Sequence, residues 1–268
     1  MQIIGEKING TRHQVAEAIA TRNMTYIQDL AIRQTEAGAH WLDVNAGTHP
    51  DREADDLMWL VDIIQSVVDT PLCLDSANPK ALEAAIPTTK HVPMINSISG
   101  EPERLNNILP LVVAHKCPVI ALAMGDKQVP KSSRERMAVI RDIVANTRAL
   151  GIADGQVYVD PLAMTIATEI HSAQISLETI RAVRQEFPQV HVTIGLSNIS
   201  YGLPARSYVN RAFLTLAIAD GLDCAIIDPL DRDMLGTLLA TELALGHDRH
   251  CLNFTRAYKA GLFGVKKH

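Results

Sequence analysis

Aromatic residues are scarce in this chain. Phe, Tyr and Trp make up 4% of its 268 residues, so any core must be filled by aliphatic side chains. Apolar residues reach 47%, enough for one large core without staples. Cysteine is rare as well. Cys73, Cys117, Cys224 and Cys251 include no C-x-x-C pair, which argues against a disulfide scaffold or a thiolate metal site. Four reduced, buried thiols are expected. No apolar run reaches the roughly 18 residues of a membrane span. The opening Met1-Gln2-Ile3-Ile4-Gly5-Glu6 lacks the basic start of a secretory leader. A soluble, cytoplasmic protein is expected. Basic residues form no block beyond Lys266-Lys267, and net charge is −5, so no nucleic-acid-binding face is expected. Gly5-Glu6-Lys7-Ile8-Asn9-Gly10 fails the G-x-G-x-x-G pattern, and no phosphate-binding lysine loop occurs.

What the chain does have is alternation. Short apolar runs lie at 3–8, 41–45, 72–76, 93–97, 119–124, 157–161, 192–198 and 225–229. Near-uniform apolarity over so few residues marks strands buried on both faces, as in a parallel sheet. Between them, 24–37, 54–68 and 132–150 repeat apolar residues at helical spacing, and Gly38, Gly151, Gly221 and Gly246 sit where helices end. Eight strand–helix alternations predict an α/β fold: a single (β/α)8, or TIM, barrel over residues 1–268. The segment 126–133, with Lys127, Pro130 and Lys131, is the longest non-apolar connection and is expected to be a mobile loop.

Barrel chemistry sits at the C-terminal ends of the strands. There the apolar runs close on Asn9, Asp43 and Asn45, Asp75, Asn96, Asp160, Asn198 and Asp228; the fifth closes on Met124. Histidine stands at none of them, which disfavours a His-rich metal site. A carboxylate-only Mg²⁺ site is the remaining metal alternative. Carboxylates accept paired N–H donors, and amides answer both donors and acceptors. A flat heterocycle with a mixed hydrogen-bonding edge, such as a pterin, suits that set, with Asp75, Asn96 and Asp160 as its readers. The competing reading is that each Asp or Asn caps the helix that follows its strand.

In these residues the sequence resembles the methyltetrahydrofolate–corrinoid protein methyltransferases. The resemblance runs through Ile3-Ile4-Gly5-Glu6-Lys7-Ile8-Asn9-Gly10, Leu42-Asp43-Val44-Asn45, Leu72-Cys73-Leu74-Asp75-Ser76 and Met94-Ile95-Asn96-Ser97. It continues through Val159-Asp160-Pro161-Leu162, Gly195-Leu196-Ser197-Asn198 and Gly221-Leu222-Asp223. It implies that Asp75, Asn96 and Asp160 bind the pterin, that Asn198 approaches the methyl-bearing nitrogen, and that Gly195 and Ser197 line the pocket. Arg206 corresponds to an arginine near the pterin ring. Asp43 or Asp160 would steer a proton through water. The substrate would be tetrahydrofolate or methyltetrahydrofolate, and the corrinoid (a cobalamin) would be carried by a partner protein. A homodimer is implied, with no metal in the barrel itself. Two alternatives stand beside this. Dihydropteroate synthases resemble the chain in kind, but that family carries a lysine in the seventh-strand motif and an arginine–histidine pair near the eighth. Neither is present here. The other alternative is a folate-binding subunit without catalysis.

Remaining features have structural readings. His247-Asp248-Arg249-His250-Cys251 is expected to be a surface turn rather than a metal cluster. Trp41 and Trp59 are expected to pack, and His115-Lys116 to end a helix, where positive charge is favoured.

Overall fold

Each expected apolar run contributes a strand in the computed structural model, which describes residues 1–126 and 128–264. Lys127 and the Lys266-Lys267 tail lie outside the described residues. The strands are β1 (Gln2–Asn9), β2 (Trp41–Asn45), β3 (Leu72–Asp75), β4 (Met94–Ser99), β5 (Val119–Leu122), β6 (Val157–Asp160), β7 (His191–Val192) and β8 (Cys224–Ile227). All neighbours pair in parallel, in the order β7-β6-β5-β4-β3-β2-β1-β8. The cylinder closes between β7 and β8 through irregular backbone. Gly195 bridges Ile226, and Ile226 N donates to Ile194 O at 2.9 Å.

The helices are α1 (His13–Thr21), α2 (Met24–Glu36), α3 (Pro50–Gln65), α4 (Pro79–Ala85), α5 (Pro102–His115), α6 (Ser133–Ala149), α7 (Ser172–Glu186), α8 (Arg206–Ala219), α9 (Arg232–Ala244) and α10 (Leu252–Lys259). The second of the three expected helices begins four residues early. Pro50 opens α3 with its φ already helical, and the His49 side chain accepts from Asp51 N. The Ser132 hydroxyl caps α6 by accepting from Glu135 N. This ties the end of the 126–133 connection to a helix. Gly38, Gly151, Gly221 and Gly246 all have positive φ, as their helix-ending positions require. α5 ends at His115, with Lys116 in the left-handed conformation.

Alternation along short strands sorts the barrel interior into layers. At the N-terminal end, Gln2 Oε1 accepts from Trp41 Nε1 and from the Tyr158 hydroxyl, each at 3.2 Å. Tyr158 stacks on His191 with centroids 4.5 Å apart. Ile4, Cys73, Met94, Ile120 and Cys224 fill the middle, all fully buried. Two residues beyond Ile4, Trp41, Cys73, Met94 and Tyr158 come Glu6, Asp43, Asp75, Asn96 and Asp160. The outward residues of the same strands, among them Leu42, Val44, Leu74 and Ile95, join the aliphatic helix–sheet core. Each such side chain contributes roughly 1.5–3 kcal/mol by leaving water.

Two expectations need correction. Segment 192–198 is mostly not strand. β7 holds two residues, and Leu196–Ser200 forms a 3-10 turn, because residues beyond Val192 turn across the closing seam. Cys251 is exposed, whereas the other three cysteines are buried. It sits in the left-handed conformation at the start of α10, on a surface turn. In that turn Asp248 accepts from Asn253 N at 3.0 Å and Phe254 N at 2.9 Å, an anchoring role. Trp59 packs as expected, with the Arg22 guanidinium 4.7 Å from its ring centre.

At the mouth, β1 and β2 end in close backbone contact. A Cβ on Gly10 would lie 1.9 Å from Ala46 O. Gly10→Ala is therefore expected to lower stability by about 1–3 kcal/mol. Denaturant unfolding of the variant checks this.

Candidate active site

The open, C-terminal end of the barrel holds a cavity of about 760 Å³ lined on one side by Glu6, Asn9, Arg12, Asp43, Ser197, Arg206 and Asp228. A second lobe of about 450 Å³ is lined by Asn45, Glu53, Ser76, Arg104, Leu122 and Asp160. Asp75, Asn96, Gly195, Asn198 and Ile226 line both, so the lobes meet above the barrel axis. All eight sequence-nominated residues, Asp43, Asp75, Asn96, Asp160, Gly195, Ser197, Asn198 and Arg206, converge on this one mouth.

None of the strand-end Asp or Asn residues supplies the side-chain cap of the following helix. Asn78 caps α4, Ser132 caps α6 and Asp231 caps α9. The strand-end groups pair with one another instead. Asn45 Nδ2 donates to Asp75 Oδ2 at 3.0 Å, and Asn96 Nδ2 donates to Asp43 Oδ1 at 3.1 Å. Asp160 accepts from Leu162 N at 2.7 Å and from Gly195 N at 3.2 Å. The Asn45 side-chain oxygen, Oδ1, is buried without a hydrogen-bond partner among the described residues, an acceptor at the edge of the second lobe.

Burial dominates the electrostatics. It raises the Asp43 carboxyl well above its usual range, reinforced by the charge of Asp75. Burial likewise raises Asp75, against the pull of Asn45 and Arg104. Asp160 is pushed up to about 6, with the Leu162 and Gly195 amides and the Arg136 charge opposing. Glu6 is raised by burial despite Arg12 and Ser197. Four acids thus share one low-dielectric mouth, a pattern typical of sites that bind or move protons.

Asn198 rides on the 3-10 turn. Its side chain is exposed to the mouth and makes no hydrogen bond to another described residue. A Cβ at Gly195 would stand 3.1 Å from Asn198 Nδ2, so the absence of a side chain there leaves room beside the amide. Arg206 opens α8 and lines the mouth; its Nη2 donates to Ser197 O at 2.6 Å and its Nε to Ser200 Oγ at 3.0 Å. It clasps the turn that carries Asn198. Ser197 Oγ donates to Glu6 across the seam at 3.0 Å, and Arg12 pairs with the same carboxylate at 3.1 Å.

Glu6 is the residue that sequence reasoning passed over. It lies within an apolar run rather than at its end, so reading strand ends alone missed it. The period-two series Gln2, Ile4, Glu6 points it inward. Met124, the expected close of the fifth run, does not line either lobe. Leu122 lines the second.

The model of the family described as "Pterin binding enzyme" matches residues 5–228. The chain belongs to the pterin-binding enzyme family. It is 38% identical over 98% of both chains to the methylcorrinoid:tetrahydrofolate methyltransferase of Eubacterium limosum. It is 30% identical, over 84% of its length and 20% of the relative's, to the methionine synthase of Mycobacterium tuberculosis. Within the family it therefore groups with the methyltetrahydrofolate–corrinoid methyltransferases. Among solved structures, the 7,8-dihydropteroate synthase of Vibrio fischeri superposes with a TM-score of 0.70 at 15% identity, covering 93% of this chain and 94% of that one. At that identity the likeness concerns the barrel fold alone.

The raised carboxyls have a consequence for stability. A carboxyl whose native pKa exceeds its unfolded value stabilises the fold when protonated. That contribution is complete below the unfolded value near 3.8 and is lost as pH rises through the native value, about 6 for Asp160. For Asp43, an Asn side chain keeps the acceptor for Asn96 and removes the buried charge. Asp43→Asn should raise Tm at about pH 8, with the gain shrinking toward about pH 5. Equal gains at both would show that charge burial is not the cause.

Proposed function

We propose that the chain moves a methyl group between N5 of tetrahydrofolate and the cobalt of a corrinoid carried on a separate protein. The convergence of Asp75, Asn96, Asp160 and Asn198 on one open mouth carries this reading. Asp75 and Asp160 accept N–H groups of the pterin edge, and the Asn96 amide answers its mixed donor and acceptor positions. The corrinoid supplies the metal centre that exchanges the methyl group.

The methyl-bearing nitrogen is a tertiary amine, and departing as an amide anion would be prohibitive. It must gain proton character as the carbon–nitrogen bond breaks. The Asn198 amide donates a hydrogen bond to that nitrogen as charge develops, a preorganised electrostatic role. An amide does not titrate usefully, so the proton itself arrives through water, steered by Asp160 or Asp43. Asp160, raised to about 6, is suited to exchange a proton near neutrality. Both directions of transfer use these same groups.

The corrinoid arrives on a separate protein and must meet the pterin at the open end of the barrel. The pterin must lie with its methyl group facing out of the mouth, and the corrinoid protein must dock over the strand-end loops, a transient contact. Among the described residues no helix is long and apolar enough to cross a membrane. A homodimer and a cytoplasmic location are part of the same proposal, and the homodimer rests on the sequence resemblance. Sedimentation is expected to show twice the chain mass.

Methyl transfer from 5-methyltetrahydrofolate to free cob(I)alamin by the isolated chain tests the reading. Turnover is expected, with no incorporation of p-aminobenzoate. Asn198→Ala should lose about 10²–10³-fold in rate while remaining folded. Full activity in that variant would remove Asn198 from its assigned role.

A further inference from the structure

One large buried cation is not used by the chemistry above. Arg136, on α6, is 2% exposed, and a guanidinium so enclosed is costly unless its donors are answered. Carbonyl groups answer them. Arg136 Nη1 donates to Pro161 O at 2.6 Å and Leu162 O at 2.7 Å, and lies 3.1 Å from Ser176 Oγ. Its Nε donates to Pro130 O at 3.4 Å. The cation therefore grips the turn that follows β6.

That turn aims Asp160. Leu162 sits at φ +67, a conformation leucine rarely adopts, and its N–H points back to Asp160 Oδ1 at 2.7 Å. Ser176 Oγ also donates to Leu162 O, at 2.6 Å. The unusual backbone is thus held from the side opposite the cavity. Other charges around Asp160 come from different elements: Asp75 of β3, Glu53 of α3 and Arg104 of α5 line the same lobe. Arg136 is the charge that opposes the upward shift of Asp160.

We infer that Arg136 is a positioning residue for Asp160: by holding the Pro161 and Leu162 carbonyls it fixes the turn whose amide orients that carboxylate toward the pterin. The consequence for binding rests on the pterin reading above; the orientation of Asp160 does not.

The test compares Arg136→Met and Arg136→Lys, alone and with Asp160→Asn. Two quantities are read: the Kd for 5-methyltetrahydrofolate by equilibrium dialysis, and the titration of the Asp160 carboxyl by ¹³C NMR. Arg136→Met is expected to weaken folate binding about tenfold and to move the Asp160 titration to higher pH. Arg136→Lys, which keeps the charge but not the fork, should restore part of both. In the Asp160→Asn background, Arg136→Met should cost less than about twofold in Kd, because coupled residues are not additive. An unchanged Asp160 titration in Arg136→Met, or losses that multiply across the two sites, would overturn the inference. If Asp160→Asn binds folate normally while the Asp160 titration still follows Arg136, the pterin assignment fails and the positioning role stands. Should Arg136→Met not fold, Arg136→Lys carries the same comparisons.

Discussion

Everything at the mouth depends on placing carboxylates directly above a dry aliphatic floor. Ile4, Cys73, Met94, Ile120 and Cys224 seal the barrel, and the next inward positions are Glu6, Asp43, Asp75, Asn96 and Asp160. The layer beneath these groups is apolar and buried, and burial raises the carboxyls of Glu6, Asp43, Asp75 and Asp160. Burial of acidic groups at the mouth weakens the fold as they ionise with rising pH. The aliphatic layers offset that weakness.

The fold was legible because its signal is repetitive. Eight short apolar runs with helical patterns between them admit few arrangements, and strand positions followed to within a residue or two over most of the barrel. The seventh was the exception. Val192 through Leu196 reads as apolar as any strand, yet the ladder ends at Val192, because closing a cylinder demands a turn at the seam that no local pattern announces. The start of α3 was misplaced for a simpler reason: periodicity shows where apolar residues recur, while Pro50 starts the helix one turn before the first of them.

Within the site, polar residues that close an apolar run were readable, whereas one set inside a mixed run was not. Asp75, Asn96 and Asp160 announce themselves by interrupting apolarity. Glu6 does so less clearly, flanked by Gly5 and Lys7, and only the inward series of β1 explains it. The pairing of Asn45 with Asp75 and of Asn96 with Asp43 was beyond reach, since it depends on which strands become neighbours. Arg206 was expected beside the ring. It lines the mouth, and its donors also hold the Leu196–Ser200 turn, a contact that only coordinates reveal.

The brevity of β7 separates two properties that most barrels tie together. Asn198 hangs from a turn held in part by side chains: Arg206 on its backbone, and the Ser197–Glu6 contact across the seam. Adjusting those few groups would re-aim the amide without disturbing a single ladder hydrogen bond. The direction in which that amide points is therefore free to drift while the cylinder beneath it stays unchanged.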